Sequence, residues 1–205
     1  MSLQRLSSEV EKAERWLINA DPALGTLIQS GPAFDLRPFS KTPFEALVHA
    51  IIAQQLSVKA AAAIQQRVHA LTQDNVTPEA FAHLTQQDFK QAGMSQAKIN
   101  TLQQLIDFAR TEKTTFDQLQ HQSDQQVKQT VCQLKGIGPW TADIFLMFGL
   151  KRLDIFASGD LGLRKAVQSI KALKALPSVT ECEQIASQWQ PYRTIASWYL
   201  WRSLG

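Results

Sequence analysis

Two stretches of this sequence carry residue types whose spacing suits chemistry. The first is Leu134-Lys135-Gly136-Ile137-Gly138-Pro139-Trp140-Thr141-Ala142. Two glycines flank one aliphatic residue, and a proline follows. Glycine permits positive φ and keeps side chains out of a tight turn. Ile137 can plug such a turn onto a core, and Pro139 suits the first position of a helix. The result is a concavity of backbone N–H groups at a helix start, which takes a phosphate without reading base sequence. Lys135 adds a positive charge beside it. Taken alone, a GxG turn is also an ordinary helix–helix connection with a capping glycine. The second stretch is Gly159-Asp160-Leu161-Gly162. Asp is a common N-cap, and Asp160 opens a helical run. An ionised carboxylate can also stabilise positive charge growing on a sugar and orient or deprotonate a water. A phosphate anchor and a nearby carboxylate are what cleavage of an N-glycosidic bond needs.

Helices must position both stretches, because the apolar periodicity is helical nearly everywhere. Start signals recur at Thr42-Pro43-Phe44-Glu45, read as N-cap, N1 proline and capping-box Glu, at Thr77-Pro78-Glu79 and at Ser123-Asp124-Gln125-Gln126. The pattern predicts helices near 8–20, 22–29, 43–55, 58–73, 78–83, 86–92, 96–110, 124–133, 139–149, 160–174, 179–188 and 192–203. Residues 151–158 break it and read as an extended connector. Connections are short and no linker is evident, so the chain is expected to be one integrated all-α unit.

Composition narrows the function classes. Of 205 residues, 44% are hydrophobic and only 19% charged, which argues against broad disorder. The net charge of +3 permits a polyanionic partner without demanding one. Cys132 and Cys182 are the sole cysteines. With no CxxC and no Cys/His cluster, neither a zinc site nor an iron–sulfur cluster is expected, and a reducing compartment is. The N-terminus lacks a signal-peptide core, and no apolar run is long enough to span a membrane. The expected location is cytoplasmic, at a bacterial nucleoid, or nuclear in a eukaryote.

The hairpin string followed by Gly159-Asp160 resembles the helix-hairpin-helix/Gly-Pro-Asp (HhH-GPD) DNA glycosylase superfamily. Bifunctional members of that family carry a lysine nucleophile where this sequence has Trp140, and Trp140 resembles the alkylpurine branch, the DNA-3-methyladenine glycosylase II family. Phe44–Ser57 resembles that branch's first core helix and its minor-groove loop. Gly93-Met94-Ser95 with Lys98 also fits, and Trp189-Gln190-Pro191-Tyr192-Arg193 with Ala196 and Trp201 resembles its C-terminal signature. The matches run from about 43 to 201. Gly159 replaces the more familiar neighbour of the Asp. The resemblance is to the compact form, without an extra N-terminal β domain.

The resemblance implies a two-lobed fold with its active-site cleft between lobes 43–157, containing the hairpin, and 1–42 plus 158–205. It implies a monofunctional glycosylase in base excision repair, a hydrolase without AP-lyase activity. Such an enzyme would flip 3-methyladenine- or 7-methylguanine-type purines out of double-stranded DNA, with Asp160 catalytic. Trp140, Trp201, Leu161 and Tyr192 would line the base pocket. Lys135, Gly136, Ile137, Gly138, Arg164 and Lys165 would meet DNA, with Gln55 or Leu56 filling the gap; Leu56 closing a helix as a core residue is the alternative. The basic stretch from Lys151 to Ala175 reads as a phosphate-facing surface or as a solvated helix face. Trp16, Trp189 and Trp198 read as core, and His49 as structural. No cofactor is required, but the backbone carbonyls of Cys132, Leu134 and Ile137 would hold Na+ or K+ by resemblance. A monomer is expected. A non-catalytic DNA-binding module and a glycosylase for another lesion remain as alternatives.

Overall fold

The computed structural model describes residues 2–111 and 115–204, and every regular element among them is helical. In chain order these are α1 (Leu3–Ala20), α2 (Pro22–Ser30), α3 (Pro43–Ala53), α4 (Val58–Leu71), α5 (Pro78–Ala82), α6 (Gln86–Gln91), α7 (Gln96–Thr111), α8 (Thr115–His121), α9 (Asp124–Val131), α10 (Pro139–Ile144), α11 (Leu161–Ile170), α12 (Val179–Ala186) and α13 (Arg193–Arg202). Short 3-10 turns occur at Arg37–Ser40 and Ser187–Trp189, and a π turn at Phe145–Gly149. No helix among the described residues is long and apolar enough to cross a membrane.

Local signals account for most boundaries, and each difference has a cause. Helix α1 starts earlier than periodicity indicates, because the Ser2 hydroxyl accepts from the Arg5 amide at 3.3 Å. Helix α11 ends at Ile170 rather than near 174, where the chain turns through Ala172 at φ 49°. The segment 139–149 does not stay α-helical but widens into the π turn after Ile144. Helix α8 and the turn Arg37–Ser40 are too short to show a period, and the sequence reading misses both.

The chain forms two compact units, residues 41–150 and residues 1–40 with 151–205. The expected boundary near 157 is therefore corrected to 150. The reason is Thr194 on α13: its hydroxyl donates to the Arg152 carbonyl at 2.6 Å and accepts from the Ile155 amide at 3.1 Å, while its own amide donates to the Leu153 carbonyl at 2.9 Å. Arg193 adds a forked pair to Asp154, at 2.7 and 2.9 Å. These bonds tie the extended connector to α13.

Unit 41–150 is organised on α3. Phe44, Ala46, Leu47, Val48, Ala50, Ile51 and Ile52 are all buried, so this helix is apolar on nearly every side. Phe44 meets Phe81 edge-on at 5.5 Å between ring centroids. Thr42 caps α3 as expected, accepting from the Glu45 amide at 3.2 Å. Glu45 does not close a capping box, however. Its carboxylate pairs with Lys41 at 2.7 Å and lies beside two imidazoles, His49 and His69, whose Nε2 atoms are 2.8 Å apart. Burial pulls the His49 pKa down to about 4, so the ring is neutral at pH 7. His49 is half-buried, in line with its structural reading.

The other unit packs α1, α2 and α13 around Leu6, Leu17, Leu24, Trp189 and Leu200. Its most deeply buried charged residue is Asp21, 1% exposed, which accepts from Trp189 Nε1 and pairs with Lys171, each at 2.7 Å. Burial pushes its carboxyl up, but the bonds from Lys171 and Trp189 prevail and hold it below the ordinary carboxylate value. Trp189 and Trp198 are core, as expected. Trp16 is not: it is 38% exposed, with its ring edge-on to Tyr192 at 6.0 Å.

Candidate nucleic-acid interface and active site

The hairpin of unit 41–150 is built by short-range bonds. Helix α9 is capped at Cys132, and the chain tightens as Gln133 donates to Thr130 and Leu134 to Val131. The Ile137 amide returns to the Leu134 carbonyl at 2.9 Å, and the Ile137 side chain is buried. Gly136 lies at φ +97°, and a Cβ there would stand 2.0 Å from Thr101 Oγ1, so only glycine fits. Gly138 differs: it is extended, and a Cβ would meet nothing within 4 Å. Among the described residues, neither glycine's amide donates to a backbone carbonyl.

Three braces that the sequence reading missed hold this turn. Thr101 on α7 donates to the Lys135 carbonyl at 3.0 Å. Gln104 accepts from the Lys135 amide at 3.1 Å. Gln54, capping α3, donates to the Gly136 carbonyl and to Thr141 Oγ1, each at 2.9 Å. None of the three stands near the hairpin in sequence, so the only hint was the polarity of Gln54 at the end of an apolar helix. Lys128 on α9 pairs with Asp143 on α10 at 2.5 Å. Lys135 is exposed and Trp140 half-buried, on the first turn of α10.

The same Gln54 anchors a second feature. Immediately after it, Gln55 adopts φ 56°, an uncommon conformation for a residue with a side chain. Leu56 follows, 39% exposed, which overturns its reading as a core residue, and then Ser57 and Val58, the latter 89% exposed. Lys98 donates to the Ile52 carbonyl at 2.7 Å and so fastens the end of α3; burial lowers its pKa. A loop that shows solvent a strained Gln, a Leu and a Val is fastened at its base by Gln54 and Lys98.

The carboxylate belongs to the other unit. Asp160 is half-buried and caps α11, its Oδ1 accepting from the Leu163 amide at 2.8 Å. The indole N–H of Trp201, on α13, donates to the same oxygen at 3.0 Å. The N-cap and functional readings of Asp160 are therefore compatible, because capping fixes the group without burying it. Gly162 makes room for this pair: a Cβ there would lie 2.9 Å from Asp160 Oδ1. Trp201, assigned from sequence to the base pocket, engages the carboxylate directly. Leu161 is 52% exposed beside it, and Tyr192 packs on Trp16.

The basic stretch is less free than its composition suggests. Arg164 spends Nε on the Pro177 carbonyl at 2.8 Å, and Lys171 is held by Asp21. Lys165 and Lys174 are exposed.

Comparison with known proteins identifies the family. The profile of the HhH-GPD superfamily base excision DNA repair proteins matches residues 48–191. An alkylbase DNA glycosidase-like protein, mag2, of Schizosaccharomyces pombe is 26% identical over 200 residues, covering 95% of this chain and 94% of the relative. DNA-3-methyladenine glycosylase 1 of the same yeast is 30% identical over 166 residues, covering 80% and 73%. The structure of that yeast's 3-methyladenine DNA glycosylase Mag1 in complex with abasic DNA superposes with a TM-score of 0.85 at 28% identity, covering 94% of this chain and 96% of that one. The chain belongs to the HhH-GPD superfamily of base excision DNA repair proteins, and the relatives it resembles within that superfamily include DNA-3-methyladenine glycosylases.

Proposed function

We propose that this chain is a monofunctional DNA glycosylase that releases alkylated purines, of the 3-methyladenine and 7-methylguanine type, from double-stranded DNA. The observation that carries the reading is the Asp160 carboxylate, half-buried and aimed by two donors on one oxygen. A carboxylate so held keeps its direction while charge develops, and a fixed negative group is worth most where water is partly excluded. Positive charge builds on the deoxyribose as the glycosidic bond lengthens. Asp160 stabilises that charge and orients the water that replaces the base. Alkylation at N3 or N7 makes the purine cationic and a ready leaving group.

The other parts support binding. Gly138 lies in open space, which leaves its backbone accessible to a phosphate, and Lys135 supplies charge. The Gln55-Leu56 loop fills the stack when the target nucleotide leaves it, and its base is held by Gln54. A half-buried indole face, such as that of Trp140, gives a cationic base something to lie against. Trp140 carries no amine, so no Schiff base forms and no strand cleavage follows. A monovalent cation on the Cys132, Leu134 and Ile137 carbonyls is compatible with the turn, since Leu134 accepts one N–H and keeps a second lone pair. It would bridge to a phosphate.

The test is release of free methylated purines from alkylated duplex DNA by the wild type and by Asp160→Asn. Release by the wild type that the variant loses is the expected result. Equal release would end the role given to Asp160, and none from either protein would leave a DNA-binding module. Borohydride should trap no protein–DNA adduct.

A further inference from the structure

Unit 41–150 holds a group of side chains that none of this chemistry uses. Glu45 and His49 stand one turn apart on the same face of α3, and His69 reaches them from the last turn of α4. The His49 and His69 Nε2 atoms are 2.8 Å apart, and Glu45 Oε1 lies 3.9 Å from the first and 3.6 Å from the second. All three side chains are mostly buried, with 14–20% of their surface exposed. We propose that Glu45, His49 and His69 bind one divalent metal ion of the zinc class, with a fourth position left to water.

The donor set selects the ion. Two imidazoles and one carboxylate suit Zn2+ and its first-row neighbours, and supply too few oxygens for Ca2+ or Mg2+. A tetrahedral zinc site with bonds of about 2.0–2.2 Å places its ligand atoms roughly 3.3–3.5 Å apart. The three observed separations bracket that value, so each side chain needs to rotate by only a few tenths of an ångström. At 2.8 Å, one imidazole nitrogen must carry a proton and the other a lone pair. The metal takes the place of that shared proton: with both rings neutral, the proton moves from His49 Nε2 to its own Nδ1, leaving an Nε2 lone pair on each ring for the ion.

An outer partner is already in place. His69 Nδ1 lies 3.2 Å from Asp74 Oδ1, which makes Nδ1–H the donor and turns the Nε2 lone pair inward. Gln73 and Asp74 take left-handed backbone, at φ 51° and 63°, and this turn brings Asp74 back until its amide donates to the His69 carbonyl at 3.0 Å. One group opposes the ion: Lys41 pairs with Glu45 Oε1 at 2.7 Å. Its ammonium has to swing away, so Lys41 sets an upper limit on affinity. Reading the sequence for Cys/His spacing missed the cluster because its members sit on two helices and one is a glutamate. The bound ion would clamp α3 to α4 across the loop that carries Gln55 and Leu56.

The experiment uses untagged full-length protein stripped of metal, titrated with Zn2+ against a chromophoric chelator, with melting followed in parallel. One ion per chain and a higher Tm are expected, with both lost in His69→Gln and in His49→Gln. Asp74→Asn should weaken binding about 10-fold, and Lys41→Ala should tighten it. His83→Gln and His121→Gln, at the two exposed histidines elsewhere, should change nothing. Absence of stoichiometric binding by the wild type overturns the proposal, as does binding that follows His83 or His121. If a ligand variant fails to fold, the surface pair decides: Asp74→Asn and Lys41→Ala must move affinity in opposite directions, and failure to do so also overturns it.

Discussion

The hairpin at 134–142 and the carboxylate at Asp160 are built from different kinds of information. The hairpin is a backbone object. Its shape comes from two glycines, a proline and hydrogen bonds between residues three apart, and the groups the proposal puts to work there are amides rather than side chains. The carboxylate is a side-chain object. Its direction depends on an indole 41 residues later in the chain, on another helix. A backbone site is written locally and resists side-chain replacement, except where glycine is obligatory. A side-chain site is exposed to single substitutions at both partners.

Substitutions that separate the two regions test this contrast. The largest effect belongs to Asp160→Asn, which keeps shape and capping ability but removes the charge. Base release should fall about 10²–10³-fold while affinity for duplex DNA persists in a binding assay. Loss of both together would break the contrast.

Gly136→Ala should act on the scaffold instead. The positive φ and the 2.0 Å approach to Thr101 must both be relieved, at about 2–4 kcal/mol of stability in denaturant unfolding. Trp201→Phe keeps the ring and removes the N–H from Asp160 Oδ1. Base release should drop about 10–100-fold, in kcat more than in KM, because hydrogen bonds to charged groups are worth about 1.5–3 kcal/mol. An unchanged kcat would return Trp201 to packing alone.

Acid should weaken the unit that carries Asp160 through a group outside its site. Asp21 titrates lower folded than unfolded, so its stabilisation is full above the unfolded value and is lost as pH falls through the folded one. Melting curves taken down through that acid range should show a loss that Asp21→Asn reduces. The smallest effect sharpens the comparison most: Gly138→Ala adds a methyl group in open space at an extended backbone. Stability should stay within about 0.5 kcal/mol, while DNA affinity should fall if the proposed phosphate contact at Gly138 is made.

Much of this was legible beforehand for a physical reason. Helix starts at Thr42, Thr77 and Ser123 rest on a hydroxyl accepting an amide three residues on, and each is present. The hairpin needed only the glycines, Ile137 and Pro139. The same locality explains the failures. Glu45 had the right spacing for a capping box, yet Lys41 and two imidazoles claim its carboxylate. Trp16 and Leu56 carried the right hydrophobicity for a core and are exposed, because hydrophobicity does not say which face of a helix is covered.

Sequence alone determined the helical class, the hairpin and the aspartate that opens α11, since these follow from backbone freedom, periodicity and side-chain type over a few residues. Tertiary structure decided the rest: that Trp201 aims Asp160, that Gln54, Thr101 and Gln104 brace the hairpin, that Lys171 turns inward to Asp21, and that His69 joins Glu45 and His49. These pairings arise where helices pack, and packing is set by the sum of many apolar contacts that no short stretch contains.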